Sequence, residues 1–254
     1  MDREPLLLLC APALLTASAL ALGAANADDH DSRAQRTAQS ASAHQPGDVA
    51  DEMQDAKEQV REATKVVQQM KRDPKLTTLL QRANGVFVAP DYGKGAALVG
   101  ARGGEGVLLV RNGDDWSNPA FYNFGGVSVG AQVGGAGGSF AMLLMNEQAV
   151  DAFRTEDSFS LDANAGLTVV DYSASTQASV GKGDVIVWSD TEGLFAGASL
   201  GISGIVRDED ENRAYYDAYY GQKVTVEQVL SGATKNPDAQ MLRDALPDRV
   251  AASR

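Results

Sequence analysis

The chain has 254 residues, of which 44% are hydrophobic and 22% charged, so it can form one sizeable core. Its formal net charge of −12 argues against a general nucleic-acid binder, because such proteins carry a basic surface. One cysteine, Cys10, and two histidines, His30 and His44, are too few for a Cys/His zinc site or an intrachain disulfide. We therefore expect neither a metal site nor a nucleic-acid partner, and no motif indicates a cofactor.

The first 27 residues have the pattern of a secretory signal peptide. Leu6 to Leu22 is almost continuously apolar, and Ala25-Asn26-Ala27 supplies an A-x-A cleavage pattern. The alternative is a retained N-terminal anchor, for which the apolar run is somewhat short. We predict cleavage and export to the periplasm or cell envelope. Residues 28–47, rich in Ala, Ser, Gln and Asp, are predicted to be a flexible linker.

Residues 48–84 are predicted to form a helical arm of two helices. In the first, apolar residues recur at alternating intervals of four and three, the a/d pattern of a helix that packs along one side. These positions are Val49, Met53, Ala56, Val60, Ala63, Val67 and Met70. Asp73 and Pro74 suit a helix cap and first turn, which predicts a second helix ending at Gly85.

The helical arm is locally basic on an acidic protein, with seven bases and three acids between residues 57 and 82. The candidate lipid-binding bases are Lys57, Arg61, Lys65, Lys71, Arg72, Lys75 and Arg82. Because each base near an anionic membrane contributes about 1 kcal/mol, these residues predict a docking surface if they share a face. The alternative is an ordinary solvated surface, since exposed Lys and Arg are the default on helices.

Residues 85–232 are predicted to form a β-rich body, because apolar residues there alternate or occur in short runs. The predicted strands are Val86–Ala89, Ala96–Val99, Val107–Val110, Leu167–Val170 and Val185–Trp188. Short helices are predicted at Glu147–Arg154, at Val226–Leu230, where Thr225 and Gln228 suit a capping box, and at Pro237–Leu246 in a C-terminal segment, 233–254.

Between the strands and the last helices lie an acidic run and a tyrosine cluster. The acidic run, Asp208 to Glu211, is predicted to be the solvated tip of a hairpin. The tyrosines that follow would form two i, i+4 pairs in a helix, and they are Tyr215, Tyr216, Tyr219 and Tyr220. We expect them to pack in the core or at its edge, although they could line a binding surface.

Two similar segments, Phe124 to Gly134 and Phe195 to Ile205, alternate apolar residues with small ones. The nearly side-chain-free faces consist of Gly126, Ser128, Gly130 and Gly134 in the first and Gly197, Ser199, Gly201 and Ser203 in the second. Because glycine weakens a strand, its use predicts close approach by a helix, another strand or a ligand chain. The first two possibilities are purely structural and are the more common.

Both segments also contain the pattern G-x-S-x-G. A nucleophilic serine needs a base, yet no histidine follows residue 44, and the motif lies within strand patterns rather than at a strand-to-helix turn. The phosphate-binding and dinucleotide-binding glycine patterns are missing as well. The sequence therefore predicts no catalytic residues, with an unrecognised hydrolase as a minor alternative.

Short blocks between about residues 50 and 232 resemble, in order, those of the SYLF domain family. They are Gly85–Pro90, Gly106–Val110, Trp116–Pro119, Ser128–Gly134, Leu144–Val150, Glu192–Leu200, and Tyr220-Gly221 before Val229–Gly232. In eukaryotes the family is associated with phosphoinositide-rich membranes and, in fungi, with actin filaments, whereas bacterial members are exported envelope proteins. The resemblance implies binding rather than catalysis, with anionic lipid as the first candidate.

We expect an α+β fold for residues 48–254, a single domain with a Gly-rich, mainly antiparallel sheet that is curved or barrel-like, flanking helices and the N-terminal helical arm. The leading functional hypothesis is peripheral binding of anionic phospholipid head groups or a membrane surface in the cell envelope. The alternative is a structural or protein-interaction protein that binds a partner or itself through Val49–Met70. An actin role is not expected of an exported protein.

Overall fold

The computed structural model describes residues 46–92, 101–127, 138–155, 158–159, 166–172, 183–190 and 204–250. It confirms the predicted α+β class, with a strongly curled half-barrel sheet flanked by helices. The predicted signal peptide, nearly all of the linker and the predicted strand Ala96–Val99 lie outside the described residues.

The helices and strands follow one another in a mixed order along the chain. The helices are α1 Pro46–Met70, α2 Pro74–Arg82, α3 Glu147–Thr155, α4 Glu209–Tyr220, α5 Val226–Leu230 and α6 Gln240–Ala245, with a 3₁₀ turn, Pro237–Ala239, before α6. The strands are β1 Gly85–Tyr92, β2 Ala101–Asn112, β3 Asp115–Trp116, β4 Ala120–Val127, β5 Gly138–Leu144, β6 Ser158–Phe159, β7 Val169–Asp171, β8 Val185–Ser189 and β9 Gly204–Arg207.

The sheet has the strand order β6-β9-β4-β2-β1-β5-β8-β7, and β3 pairs with β2. Its described pairings are antiparallel except for the parallel pairing of β7 with β8. This agrees with the mainly antiparallel sheet that the sequence predicted. In the central strand β1, Phe87 lies between Leu108 of β2 and Met142 of β5. The register of β1 shifts between Val88 and Tyr92, and such irregularities bend a strand, which suits a curled sheet.

The aromatic ring of Phe87 is the centre of the core. It is fully buried and lies 5.6–6.4 Å, centroid to centroid, from four other rings. These rings belong to Tyr122, Phe124, Phe140 and Phe153, which come from β4, β5 and α3. Edge-on and tilted contacts of this kind add to the stability that burial of the rings already provides.

The predicted a/d stripe of α1 is confirmed as a buried face. Ala56, Val60, Ala63, Val67 and Met70 are almost completely inaccessible to solvent. This face packs against α4, α6 and strands β1 and β2 of the same chain. The stripe is therefore engaged within the fold and is not the free contact surface that self-association through Val49–Met70 would require.

The acidic run from Asp208 to Glu211 is not a hairpin tip, so that prediction was wrong. Asp208 caps α4, and its Oδ1 accepts a hydrogen bond from the backbone N–H of Glu211 at 2.9 Å. The following acids occupy the first turn, where the helix dipole favours negative charge.

The expected core packing of the tyrosines is confirmed for Tyr215 and Tyr216, whereas Tyr219 is exposed.

The predicted helix ends agree with the structure to different degrees. Helix α5 has the predicted bounds and the predicted capping box between Thr225 and Gln228. Helix α2, however, ends at Arg82, and Gly85 is the first residue of β1 instead of the end of the helix. The predicted helix Pro237–Leu246 is divided into the 3₁₀ turn and α6.

Candidate functional site

An acidic cleft lies where α1 faces strands β1, β2 and β4 and the start of α4. Two cavities of about 610 and 410 Å³ share Asp55, Glu105 and Asn123 in their walls. The larger is also lined by Glu58, Glu62 and Asp91, and the smaller by Glu211. We call these two cavities the acidic cleft. Its carboxylates come from four elements, α1, β1, β2 and α4.

Burial and mutual repulsion raise the pKa of two carboxyl groups of the cleft. Burial, and next the charge of Glu105, raises the pKa of Glu211 to about 9. Burial, with the charges of Asp208 and Asp55, also raises the pKa of Glu105. Among the described groups, Gln59 Nε2 donates to Glu105 Oε2 at 3.3 Å. The cleft therefore has a negative potential strong enough to oppose the ionisation of its own side chains.

One arginine reaches the smaller cavity but is held by acids at its rim. Arg207 Nη2 lies 3.3 Å from Glu227 Oε1, and Arg207 Nη1 lies 4.0 Å from Glu209 Oε1. Its Nη2 also donates to the carbonyl oxygen of Arg154 at 3.1 Å. Arg207 thus lines the cleft with its guanidinium engaged by these partners.

The three predicted lipid-binding bases on α1 are paired with acids of the same chain. Lys57 Nζ lies 3.0 Å from Asp238 Oδ2. Arg61 is paired with Glu58, and Lys65 Nζ lies 2.6 Å from Glu62 Oε1. These pairs neutralise the row locally, so α1 presents much less positive charge than the sequence suggested.

The other four predicted bases are exposed on α2 and on the turn before it. They are Lys71, Arg72, Lys75 and Arg82, and we call them the α2 basic patch. Within the described ranges none of the four forms an ion pair, although Lys71 Nζ donates to the carbonyl oxygen of Ala245 at 2.7 Å. The structure thus separates the seven predicted bases into a paired row and a patch without salt bridges to the described acids.

The acid within this patch, Asp73, is already engaged. Its carboxylate accepts from the backbone N–H of Lys75 at 2.8 Å and from the hydroxyl of Tyr172 at 2.5 Å. The hydrogen bond from Tyr172 lowers the pKa of Asp73. Asp73 serves as the cap of α2 and ties the helix to the end of β7, which fixes the orientation of the patch.

Of the two predicted Gly-faced segments, the structure describes the beginning of the first and the last two residues of the second, Gly204 and Ile205 in β9. Gly126 lies in β4, opposite Arg102 of β2. Ser128, Gly130, Gly134, Gly197, Ser199, Gly201 and Ser203 lie outside the described residues, so their role stays a prediction. In β2, a Cβ at Gly106 would lie 2.2 Å from the ring of Phe87, and one at Gly104 would lie 2.5 Å from Asp91 O. At these positions glycine serves ring and backbone packing, the purely structural use.

Sequence reasoning missed most of the acidic cleft. The acidic run at the start of α4 is predicted from sequence as a hairpin tip, and the predicted site does not include Asp55, Asp91 or Glu105. Asp91 and Glu105 become neighbours only through the β1–β2 register, which places them opposite each other. The acids of α1 at positions 55, 58 and 62 recur every three or four residues, and this spacing was the available signal.

Among the described residues, no three His, Cys, Asp or Glu side chains are placed to hold a metal ion together. No helix among them combines the length and the apolar character that a membrane span requires.

Comparison with known proteins places the chain in a family of binding proteins. Residues 125–249 match the family described as "Ysc84: Las17-binding protein actin regulator". Protein YSC84 of Saccharomyces cerevisiae is 30% identical over 167 residues, which are 63% of this chain and 35% of that protein. An SH3 domain-containing protein of Schizosaccharomyces pombe is 33% identical over 168 residues, 64% of this chain and 38% of that protein.

A human relative extends the similarity over more of the chain. SH3 domain-containing YSC84-like protein 1 of Homo sapiens is 26% identical over 197 residues, 76% of this chain and 56% of that protein. The chain thus spans between about a third and just over half of the length of these relatives. A non-enzymatic binding module fits the description of the family. The resemblance seen in the sequence blocks is confirmed, and the chain belongs to the Ysc84, or SYLF, family.

Proposed function

We propose that this protein is a non-enzymatic module of the cell envelope that docks on anionic lipid surfaces through the α2 basic patch. The observation that carries the proposal is the exposure of Lys71, Arg72, Lys75 and Arg82 without salt bridges to described acids. Free bases attract an anionic surface with their full charge, whereas bases already paired with carboxylates do so weakly.

The placement of the patch supports oriented docking. Lys75 and Arg82 are two turns apart on α2, which separates them by about 10 Å along the helix axis. Lys71 and Arg72 extend the patch into the turn that joins α1 and α2. Because the whole chain carries −12, only an orientation that presents this patch would bring attraction instead of repulsion.

The test is sedimentation of the mature chain, residues 28–254, with vesicles of phosphatidylcholine, alone or mixed with phosphatidylserine, at low and high salt. Lys71, Arg72 and Lys75 are changed together to glutamine. The matched control changes Lys57, Arg61 and Lys65 to glutamine, which removes the same charge from the paired row. At about 1 kcal/mol per base, the first variant should bind on the order of a hundredfold more weakly, and the control should lose much less.

Three results would count against lipid docking. The first is equal binding to neutral and anionic vesicles, and the second is binding that high salt leaves unchanged. The third is an equal loss in both triple variants, which would assign the effect to net charge instead of the patch. Circular dichroism of both variants should match the parent chain, so that a loss of folding is not mistaken for a loss of binding.

Export is proposed as well, because residues 1–27 have the pattern of a signal peptide. Mass spectrometry of the mature protein should find Asp28 at its N terminus. An unprocessed N terminus, or recovery with the cytosol, would contradict export and would restore actin as a candidate partner. In that case the actin regulator description of the family would apply more directly.

A protein partner is the second candidate, favoured by the description of the family as Las17-binding and by the names of its relatives. The partner would have to use a surface other than the a/d stripe of α1, because that stripe is buried within the chain. Removal of α1 would therefore unfold the domain and would not test binding.

A further inference from the structure

We propose that the acidic cleft binds an arginine-bearing segment of a partner protein. This inference is independent of lipid docking, which uses the α2 basic patch and the opposite charge. Two buried side-chain oxygens of residues that line the cleft have no hydrogen-bond donor among the described residues. Gln59 and Glu211 are each only 6% exposed, and in the described part of the chain Gln59 Oε1 and Glu211 Oε1 accept no hydrogen bond.

The two residues belong to the walls of the two cavities of the cleft. Gln59 lines the larger cavity and Glu211 the smaller one. A buried acceptor without a donor is unfavourable by roughly 1–3 kcal/mol, so a chain rarely retains one without a use for it. The amide oxygen of Gln59 can only accept, and Glu211 only accepts once its proton is lost, so a ligand that satisfies both must donate hydrogen bonds.

The charge around these atoms indicates a cation. Burial, followed by the charges of Glu105 and Asp208, raises the pKa of Glu211. Arg207 also lines the smaller cavity, but it is engaged by Glu227, by Glu209 and by a backbone carbonyl. Asp55 and Glu105 border both cavities, so the negative charge continues from one cavity into the other. Asp91 adds to it in the larger cavity and Asp208 in the smaller one, whereas the α1 acids at 58 and 62 are balanced by neighbouring bases. The partner should therefore be elongated and should carry several positive charges.

The geometry favours guanidinium groups over a single metal ion. A calcium ion needs six or more oxygens at 2.3–2.6 Å, whereas the described acids do not converge in a group of three that could hold a metal. A guanidinium presents five N–H donors in a plane and stays charged at every pH of interest. It can thus donate to Glu211 or Gln59 while its charge balances the neighbouring carboxylates.

The experiment measures fluorescence anisotropy of a labelled peptide of alternating arginine and serine with the full chain. The cleft variant is Asp55→Asn with Glu105→Gln. The matched control is Glu147→Gln with Asp151→Asn, which removes two exposed charges from α3, outside both cavities. We expect binding that weakens by about tenfold or more in the cleft variant and by less than about twofold in the control.

A second readout concerns Glu211 itself. Because this carboxyl group holds a proton near neutral pH, a bound guanidinium should displace that proton and the affinity should rise between pH 7 and pH 9. The variant Glu211→Gln should bind more weakly and should lose most of this rise. Calorimetry in buffers of different ionisation enthalpy would detect the released proton directly.

Several outcomes would overturn the proposal. They are no binding of the arginine peptide, an equal loss in the cleft variant and the α3 control, and equal affinity for a lysine peptide of the same spacing. Calcium alone binding to the parent chain, with loss in the cleft variant, would replace the arginine segment with a metal ion. None of these results depends on vesicle binding, so lipid docking and the cleft proposal can fail separately.

Discussion

The side-chain amide of Asn212 pairs twice with the backbone of Phe121. Asn212 Oδ1 accepts from Phe121 N at 3.1 Å, and Asn212 Nδ2 donates to Phe121 O at 2.8 Å. The pairing joins the first turn of α4 to β4, and both residues are buried. It thereby fixes the position of Glu211, the preceding residue, at the wall of the acidic cleft.

Replacing Asn212 with alanine should therefore destabilise the fold. The substitution removes the partner of the buried N–H of Phe121, whereas Phe121 O keeps a second donor, the N–H of Asp208 at 3.0 Å. One unsatisfied buried donor predicts a loss of about 1–3 kcal/mol in the free energy of unfolding, measured by urea denaturation. Asn123→Ala, at an exposed residue that donates to Asp208, should change it by less than about 0.5 kcal/mol. Equal effects of the two would contradict a special role for the Asn212–Phe121 pair.

Glu211 predicts a pH dependence of stability whose sign can be stated. The pKa of this carboxyl is about 9 in the fold and about 4.5 when the chain is unfolded. Between these values the folded state holds a proton that the unfolded state has released, so this group makes stability fall as the pH rises. Relative to the parent chain, Glu211→Gln should be progressively more stable from pH 5 to pH 9.

Urea denaturation of both proteins across that range is the measurement. Glu147→Gln, on the exposed side of α3, serves as the control for the loss of one negative charge. The opposite result is a difference in the free energy of unfolding between Glu211→Gln and the parent chain that is the same at every pH. That result would show that Glu211 is ionised in the fold and would contradict a raised pKa.

The ion pair between Lys57 and Asp238 should contribute little to stability. Their side chains are 32% and 48% exposed, and exposed pairs are typically worth 0.2–1 kcal/mol. A double-mutant cycle with Lys57→Ala and Asp238→Ala should give a coupling below about 1 kcal/mol that decreases at high salt. A larger coupling that persists in salt would mean that the 3₁₀ turn is held against α1 more tightly than the exposure implies.

The parts of the fold that the sequence predicted well depend on local signals. Periodicity and caps act over a few residues, which is why α5 has the predicted bounds and α1 the predicted C-terminal end at Met70. Helix α4 was missed because four consecutive acids resemble a solvated loop, and only the cap by Asp208 shows that they begin a helix.

The acidic cleft could not be predicted in the same way, since its residues are far apart in the sequence. Asp55 and Glu211 are separated by more than 150 residues, and the sheet register is what brings Asp91 beside Glu105.

In the helical arm, the sequence showed the candidate residues but not their ion pairs. Its seven bases were visible in the sequence, but their division into a paired row and the α2 basic patch depends on acids such as Asp238 that lie near them only in the fold.

Gly106 of β2 is predicted to be irreplaceable because the ring of Phe87 occupies the space that a side chain would need. A Cβ there would lie 2.2 Å from that ring, which four other aromatic rings surround. Since the ring cannot move without disturbing them, Gly106→Ala should destabilise the fold by about 1–3 kcal/mol or more, measured by urea denaturation. Gly204→Ala in β9 is the matched control, because no atom lies within 4 Å of a Cβ built at Gly204. If both substitutions were tolerated equally, the ring cluster would have to repack freely, and close packing would no longer account for glycine at this position of the sheet.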